Sequence, residues 1–408
     1  MSLKIIYLLS TYPSLTETFV AREINQISKL GSNIGLCILR PSNNTVTPLK
    51  AIKADNKFKV YCTQNILELL LGVLYTLLTK PKRLFTCLFE FLDSIIRKPS
   101  RAHHMLYFLL AAIWFSRQKK LEGIDYIHCH FLHSEAITTR WLSILLNIPY
   151  GITAHICKIR LDEIMIKRVV KDSSICIGDT RETFLLLKKL GKKKPALIKN
   201  GIDTLKINNS IDTINNPLDA KVPILILAVG SLIICKGFHI LIKSCFDLKK
   251  SGIKFTCKIV GEGVERQILQ SLIYKYNLEK YIIMPGAVSM DELIGLYKSS
   301  TIFVMPSIKS DVCTDGLPTV IIEAMAIGIP VIATQHAGIP DIVVHNKTGI
   351  LIEQSDSEGL ALEIKRLLKD QLLYTSISIN GRNKVKKEYD LIKNSGQLFD
   401  LIQSVSEQ

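Results

Sequence analysis

The sequence predicts an α/β chain built from two doubly wound, parallel-sheet domains. Three observations carry that expectation. Two separate series of short apolar, β-prone runs alternate with stretches of helical period, a segment rich in Asn, Asp and Thr (204–221) parts the two series, and several runs end at Gly or Pro turns that lead directly into a helix.

In chain order, Lys4–Ser10 reads as a buried strand, Glu17–Leu30 as a helix and Ile34–Leu39 as a second strand, a βαβ opening. Apolar runs at Tyr126–His130, Tyr150–Thr153 and Ser174–Ile177 continue the series, with Pro149 and Gly151 marking turns. The second series begins after Pro223. Its strands are Ile224–Val229, Lys254–Val260 and Ile302–Met305, and its helices are Phe238–Lys249 and Val264–Tyr276. Two open sheets of this kind imply a crevice at their carboxyl ends, where ligands bind.

Between the halves of the first series lies a helical insert, about 65–120. On a helical wheel Glu68, Gly72, Tyr75, Thr76 and Thr79 make one narrow stripe beside a broad Leu, Ile and Val face. Lys82, Arg83, Arg97 and Lys98 flank the helices, and Tyr107 and Trp114 are interface-prone aromatics. That pattern suits helices lying in a membrane surface through Ile66–Leu78 and Met105–Phe115. Packing on the domain's own sheet is the alternative. Neither apolar run is long enough to cross a bilayer, which takes roughly 20 helical residues.

With 408 residues, 48% of them hydrophobic, the chain can bury two ordinary cores, which excludes a disordered protein. Its ten cysteines contain no Cys-x-x-Cys pair and read as buried thiols of a reducing compartment. Met1–Lys4 passes into a β-like run without a cleavage site, so the expected location is cytoplasmic. The net charge of +16 is uneven: residues 1–215 hold 31 Lys and Arg against 16 Asp and Glu, and the remainder 21 against 20. The basic first domain could meet nucleic acid, anionic lipid or a pyrophosphate substrate, or simply carry a Lys-rich surface. Without a nucleic-acid motif, nucleic acid is the weakest of these.

The most specific block runs from Thr301 to Thr334. The strand Ile302–Met305 ends at Pro306-Ser307, and Asp315-Gly316-Leu317-Pro318-Thr319 then opens a helix containing Glu323-Ala324-Met325-Ala326. A helix amino end above a buried strand offers free N–H groups and a positive dipole to phosphate. Asp315 and Glu323 flank that place and can take sugar hydroxyls; an ordinary βα unit with Asp315 as N-cap is the plainer reading. The whole block, through Gly328-Ile329-Pro330-Val331, resembles the signature of the large retaining glycosyltransferase family 4. That family has the GT-B fold, two Rossmann-like domains facing a central cleft. Val229-Gly230-Ser231 through Lys236-Gly237, Val260-Gly261-Glu262-Gly263 and Lys199-Asn200-Gly201-Ile202-Asp203 extend the resemblance, and Leu9–Val20 is similar to colanic acid and amylovoran enzymes.

The resemblance implies an acceptor-binding domain over 1–203 carrying the membrane-facing insert, a linker over 204–221 and a nucleotide-sugar domain over 222–385. Residues 386–408 are then a closing helix that packs back on the first domain. It implies that Lys236 stabilises the departing diphosphate with Gly230 and Ser231, and that Asp315 faces the donor sugar. Gly316, Leu317, Pro318 and Thr319 then line the phosphate side, Glu323 holds the ribose, and Gly286, Ala287 and Val288 lie near the base. Thr153-Ala154-His155 resembles the family's Thr-x-His, with His155 on the transferred sugar. Two departures stand out. Ser231 occupies the position where the family usually has Arg, and Asp315 is one methylene shorter than the usual Glu. Arg266 is the candidate to compensate, with a surface ion pair to Glu262 as its plainer role. Glu17 is a lesser acceptor-site candidate, and helix capping is its plainer role.

His128-Cys129-His130-Phe131-Leu132-His133 crowds three imidazoles and a thiol, yet no second ligand group with useful spacing accompanies His128 and His130. No Asp-x-Asp motif is present either, so neither metal nor cofactor is expected. The expected activity is retaining sugar transfer from a nucleoside diphosphate sugar to a lipid-linked or polysaccharide acceptor in bacterial surface polysaccharide synthesis, on the inner face of the membrane. A sugar-nucleotide epimerase, or a non-catalytic nucleotide- or membrane-binding relative, is the alternative; acceptor-dependent turnover separates them.

Overall fold

A computed structural model describes residues 2–12, 17–41, 58–63, 65–155, 162–203, 224–310 and 316–407. Asp315, the 204–221 segment, Cys157 and Cys313 lie outside them. The chain divides into two units, Met1–Gly201 with Leu391–Gln408, and Ile202–Asp390.

In the first unit β1 (Lys4–Tyr12), β2 (Asn33–Pro41), β3 (Phe58–Tyr61), β4 (Tyr126–His130), β5 (Tyr150–Ala154), β6 (Ile175–Gly178) and β7 (Ala196–Leu197) form one sheet in the order β3-β2-β1-β4-β5-β6-β7. Its pairings are parallel, with Ile5 opposite Ile34 on one side and Tyr126 on the other. The order reverses between β1 and β4, which places a switch point at their carboxyl ends. Ile5, Ile6, Tyr7 and Leu8 are all buried, as a central strand covered on both faces requires. Helix α1 (Thr18–Lys29) lays Val20, Ile24 and Ile27 on one face.

The insert follows as α2 (Ile66–Thr79), α3 (Pro81–Arg97) and α4 (Ala102–Ser116). Helix α2 buries Gly72 and Thr76 of its small and polar stripe, leaves Tyr75 and Thr79 exposed, and exposes most of its leucines. Asn65 caps it by accepting from the Leu67 N–H at 3.0 Å, and a Cβ on Gly72 would sit 3.3 Å from Ile113 of α4. Gly72 and Thr76 are buried, whereas Ile66 and Leu78 are 72% and 74% exposed. On α3, Leu84, Cys87 and Glu90 turn inward and Phe89 and Ile96 outward.

Helix α4 corrects the expectation for Met105–Phe115. Met105, Phe108, Leu109, Ile113 and Phe115 are core residues, because α4 is packed against α2, α3 and α5 (Ser134–Leu146). Its aromatics are structural too: the Tyr107 hydroxyl donates to the Leu39 carbonyl at 2.6 Å and the Trp114 indole to the Tyr61 carbonyl at 3.0 Å. Glu90 joins α3 to α5 by accepting from Arg140 at 2.6 and 3.1 Å and from the Trp141 indole at 3.0 Å. Helices α6 (Glu163–Asp172) and α7 (Arg181–Lys189) complete the alternation.

In the second unit β8 (Ile224–Val229), α8 (Phe238–Lys250), β9 (Phe255–Val260), α9 (Arg266–Lys275), β10 (Ile282–Gly286), α10 (Met290–Ser299), β11 (Ile302–Met305), α11 (Thr319–Ile327), β12 (Val331–Thr334), α12 (Ile339–Ile342) and β13 (Ile350–Ile352) alternate strand and helix. The sheet order is β10-β9-β8-β11-β12-β13, again parallel, with the reversal between β8 and β11. Helices α13 (Ser357–Lys369) and α14 (Gln371–Glu388) close this unit; the Tyr374 hydroxyl of α14 donates to the Thr301 carbonyl at 2.8 Å. Helix α15 (Leu391–Ser406) belongs to the first unit, where Leu398 and Ile402 share a cluster with Val20, Ile24 and Ile27 of α1.

Seven described cysteines are free and buried. Cys235 departs from the expectation of thiols throughout, being disulfide-bonded. Among the described residues no helix is long and apolar enough to cross a membrane.

Candidate functional site

The second unit builds its site from main chain. The loops that follow β8, β9 and β10 are stitched together: the Gly230 N–H donates to the Val260 carbonyl, Gly261 to Gly286, and Leu232 to Glu262, each at 2.9 Å. The contacts leave no room for side chains. A Cβ on Gly261, whose φ is +141°, would stand 1.9 Å from the Gly230 carbonyl oxygen, and one on Gly263 would stand 2.4 Å from that of Leu232. Gly237, at φ +68°, turns the chain into α8, and its Cβ would collide with the Pro306 oxygen at the end of β11. These loops therefore meet at the switch point of the sheet.

Lys236 lies over that assembly. Its Cδ and Cε lie 3.5 Å from the space where a Gly230 Cβ would be, so the lysine stem runs in van der Waals contact with that position. Ser231 is half-buried in the same loop. Arg266 is held by its plainer partner: one guanidinium nitrogen donates to Glu262 at 2.9 Å and another to the Met284 carbonyl at 2.9 Å. Gly286 ends β10 at φ +91° beside the Glu262 carboxylate, with Ala287 exposed and Val288 half-buried after it.

At α11, Pro318 is the N-cap residue, one position before the first turn, and Leu317 and Pro318 are buried between half-buried Gly316 and Thr319. Glu323 is buried in the second turn, where it accepts from the Tyr297 hydroxyl at 3.2 Å.

The first unit builds its site from side chains at the carboxyl ends of β4, β5 and β6. His155 follows β5. Its Nδ1 lies 2.7 Å from Asp179 Oδ2, and its Nε2 lies 3.0 Å from His130 Nδ1. His130 Nε2 in turn lies 3.2 Å from Glu23 Oε1 on α1, which also accepts from the Tyr7 hydroxyl at 3.0 Å. Asp179 is held by Thr183 at 3.1 Å and Asn200 at 3.2 Å. Phe19 and Phe131 pack on the His155 ring at 4.7 Å.

Burial shapes the ionisation here. Glu23 is pulled down to about 2: desolvation pushes it up, but His130 and His128 together with the Tyr7 hydroxyl outweigh it. His128 is pushed down to about 3, first by burial and then by His130, so it is a neutral imidazole. Glu17 is raised to about 7 by desolvation and by Glu135, against the pull of His155. The cap expected of Glu17 is absent: it occupies the N-cap position without a side-chain hydrogen bond.

Glu23 and Asp179 are the residues that sequence reasoning missed. No spacing rule links position 23 to 128 and 130, and only the sheet brings α1 across β4. One ligand atom each of Glu23, His128 and His130 falls within 4.8 Å of the others. His130, however, already turns Nε2 to Glu23 and Nδ1 to His155, so an ion on either nitrogen would have to displace the hydrogen bond made there. A small cavity in this unit is lined by Glu23, Thr153, Lys199, Asn200 and Asn394 among others, and so adjoins the histidine row.

Comparison with known proteins assigns the second unit. Residues 211–384 match the model of the family described as glycosyl transferases group 1. That match spans most of the second unit. The chain is 33% identical over 226 residues to the putative colanic acid biosynthesis glycosyltransferase WcaL of Salmonella typhimurium, 54% of each chain. It is 29% identical over 216 residues to the amylovoran biosynthesis glycosyltransferase AmsK of Erwinia amylovora, 52% of each. The chain thus spans about half the length of the curated relatives it matches. Across 98% of this chain and all of the other, Anabaena HepE in complex with UDP shares the fold with a TM-score of 0.71 at 16% identity.

The architecture of two parallel-sheet, Rossmann-like units is accordingly that of the GT-B proteins. Within the matched residues 211–384, Gly230, Ser231, Lys236, Arg266 and Gly286 come together through the joined loops.

Proposed function

We propose that this chain is a retaining glycosyltransferase that moves a sugar from a nucleoside diphosphate donor to a lipid-linked or polysaccharide acceptor during assembly of bacterial surface polysaccharide. The observation that carries the reading is the set of loops joined main chain to main chain at the β8/β11 switch point, with Lys236 laid across Gly230 and the amino end of α8 beginning beside it. A cation and helix N–H groups fixed at one strand end suit a diphosphate leaving group. Lys236 would hold that group with Gly230 and Ser231. Glu323 would take the ribose, Gly286–Val288 the base, Gly316–Thr319 the phosphate side, and Asp315 the sugar hydroxyls. As the anomeric carbon–oxygen bond to phosphate breaks, the acceptor oxygen bonds the same face of that carbon and its proton passes to the departing phosphate oxygen. No metal enters this reading.

Thermal-shift measurements against UDP- and GDP-sugars test the donor step, since a ligand at 100 times its Kd adds about 2.7 kcal/mol to stability. One selective stabilising donor, followed by labelled transfer to a bacterial lipid extract, is the expected result. A panel with no stabilising member would remove the reading, and donor rearrangement without acceptor would favour the epimerase.

The acceptor is proposed to be met at an anionic membrane surface. The outward faces of α2 and α3 are apolar, with Lys82 and Lys98 exposed near the two ends of α3. Arg97 is instead paired with Asp93 and with Asp162 at 2.6 Å, so its charge is met within the protein. Cosedimentation with phosphatidylglycerol vesicles at low salt should be lost in a Leu70→Glu, Phe89→Glu variant, both positions being exposed. Failure of the unmodified chain to sediment would end the membrane reading.

A further inference from the structure

The row Glu23–His130–His155–Asp179 contains three consecutive hydrogen bonds that run through all four ring nitrogens of two imidazoles. Each bond needs one proton. Two neutral imidazoles carry two, and both ends of the row are carboxylates, which when ionised can only accept. With two protons, one of the three contacts would set two acceptors against each other at 2.7–3.2 Å. We propose that Glu23, His130 and Asp179 are positioning residues that hold His155 in a buried row storing one proton beyond those of two neutral imidazoles.

That third proton makes one of the two rings an imidazolium between two carboxylates. Moving it across the 3.0 Å bond between His130 Nδ1 and His155 Nε2 leaves every atom count unchanged and changes what His155 offers. With the proton on His155, Nε2 is a donor; with it on His130, Nε2 is an acceptor. His155 can thus be switched from acceptor to donor without taking a proton from water.

The surroundings suit such a store. His130 and His155 are 1% and 6% exposed, and Phe19 and Phe131 cover the His155 ring. Among the described residues, the titratable and charged groups that face or adjoin the row are Tyr7 from β1, Glu17 just before α1 with Glu135 of α5 beside it, Glu23 from α1, His128 from β4, Asp179 after β6 and Lys199 beside the adjoining cavity. His128 stays neutral and therefore does not compete for the proton. The proton count is independent of the transferase reading; only its consequence for sugar transfer rests on that reading.

Nitrogen NMR of the full chain labelled in its histidine rings tests it at neutral pH. The pair should show three protonated ring nitrogens slow to exchange with water; two would overturn the proposal in the unmodified protein, whatever any variant does. Glu23→Gln and Asp179→Asn each remove one flanking charge and keep a hydrogen-bonding group. Each should release the third proton at least about tenfold more readily, because an opposite charge within hydrogen-bond distance has been lost. A release pH unchanged in both variants would also overturn it, since a purely structural role predicts that outcome. Three protonated nitrogens in a chain that transfers no sugar would support the row and count against the transferase reading instead.

Discussion

The two candidate sites are made of opposite materials. The first unit places four ionisable side chains from α1 and from the ends of β4, β5 and β6 in one buried row, whereas the second joins three loops by main-chain hydrogen bonds and keeps side chains out with Gly261 and Gly263. A site of side chains can titrate, and each member depends on its neighbours' charge. A site of main chain has no such dependence, but it fails when a single Cβ is added. Sheets of the same parallel, doubly wound kind support both, because each presents a switch point on which either material can be mounted.

The largest effect should come from breaking the second site sterically. Gly261→Ala puts a Cβ 1.9 Å from a backbone oxygen at a positive φ, so overpacking and strain together should cost about 3–5 kcal/mol, read as a lowered urea midpoint. Retention of the unmodified midpoint would show that the loops are looser than their hydrogen bonds imply. Lys236→Ala should leave that midpoint unchanged and raise the barrier to sugar transfer by about 2.7–4 kcal/mol, seen in kcat, if Lys236 is a fixed donor to the leaving group. Near-normal turnover in the folded variant would sever the link between Lys236 and the reaction.

Acid should break the first site and spare the second. His128 falls from its ordinary 6.5 to about 3 on folding, so the unfolded chain binds a proton that the folded chain refuses, and its stabilisation present above 6.5 is lost as pH drops toward 3. Glu23 is lowered from 4.5 to about 2, so its contribution is present above 4.5 and disappears between 4.5 and 2. Together they should destabilise the first unit progressively as pH falls from 6.5 toward 2. Both tryptophans, Trp114 and Trp141, lie in that unit, so their fluorescence change on acidification should precede the main loss of far-ultraviolet circular dichroism. Coincident transitions would erase the contrast. The smallest effect belongs to Arg266→Ala, whose ion pair with Glu262 is largely open to solvent and should be worth less than about 1 kcal/mol in stability. A large drop in donor affinity in that variant would restore Arg266 as the substitute for the arginine missing at Ser231.

Much of the second site could be read in the chain because glycine requirements are local. Val229-Gly230, Val260-Gly261-Glu262-Gly263 and Lys236-Gly237 each follow a strand, and a short segment contains the whole signal. The row in the first unit was half visible: Thr-x-His pointed to His155 and His-x-His to His130, but Glu23 and Asp179 lie 107 and 24 residues from their partners. Helix α2 was legible as amphipathic and illegible in orientation. Its broad Leu, Ile and Val face could have met lipid or the domain's own sheet, and because Gly72 and Thr76 are what α4 can approach closely, the leucines face out. Met105–Phe115 reads as apolar on most sides, and the sequence left open whether lipid or protein would cover it; the packing of α2, α3 and α5 supplied protein.

By itself, the sequence determined the two α/β series, the strand-end glycines and the apolar periodicity, because each depends on φ, ψ and burial within one element. Tertiary structure decided which helix face is buried, which carboxylate meets which imidazole, and that Arg97 is paired with Asp162 instead of standing at a helix end. Those outcomes depend on distances across a sheet or between packed helices. A strand order of β3-β2-β1-β4 sets positions 7, 23, 128 and 130 side by side, and nothing in a linear chain fixes such a separation until neighbouring strands have chosen each other.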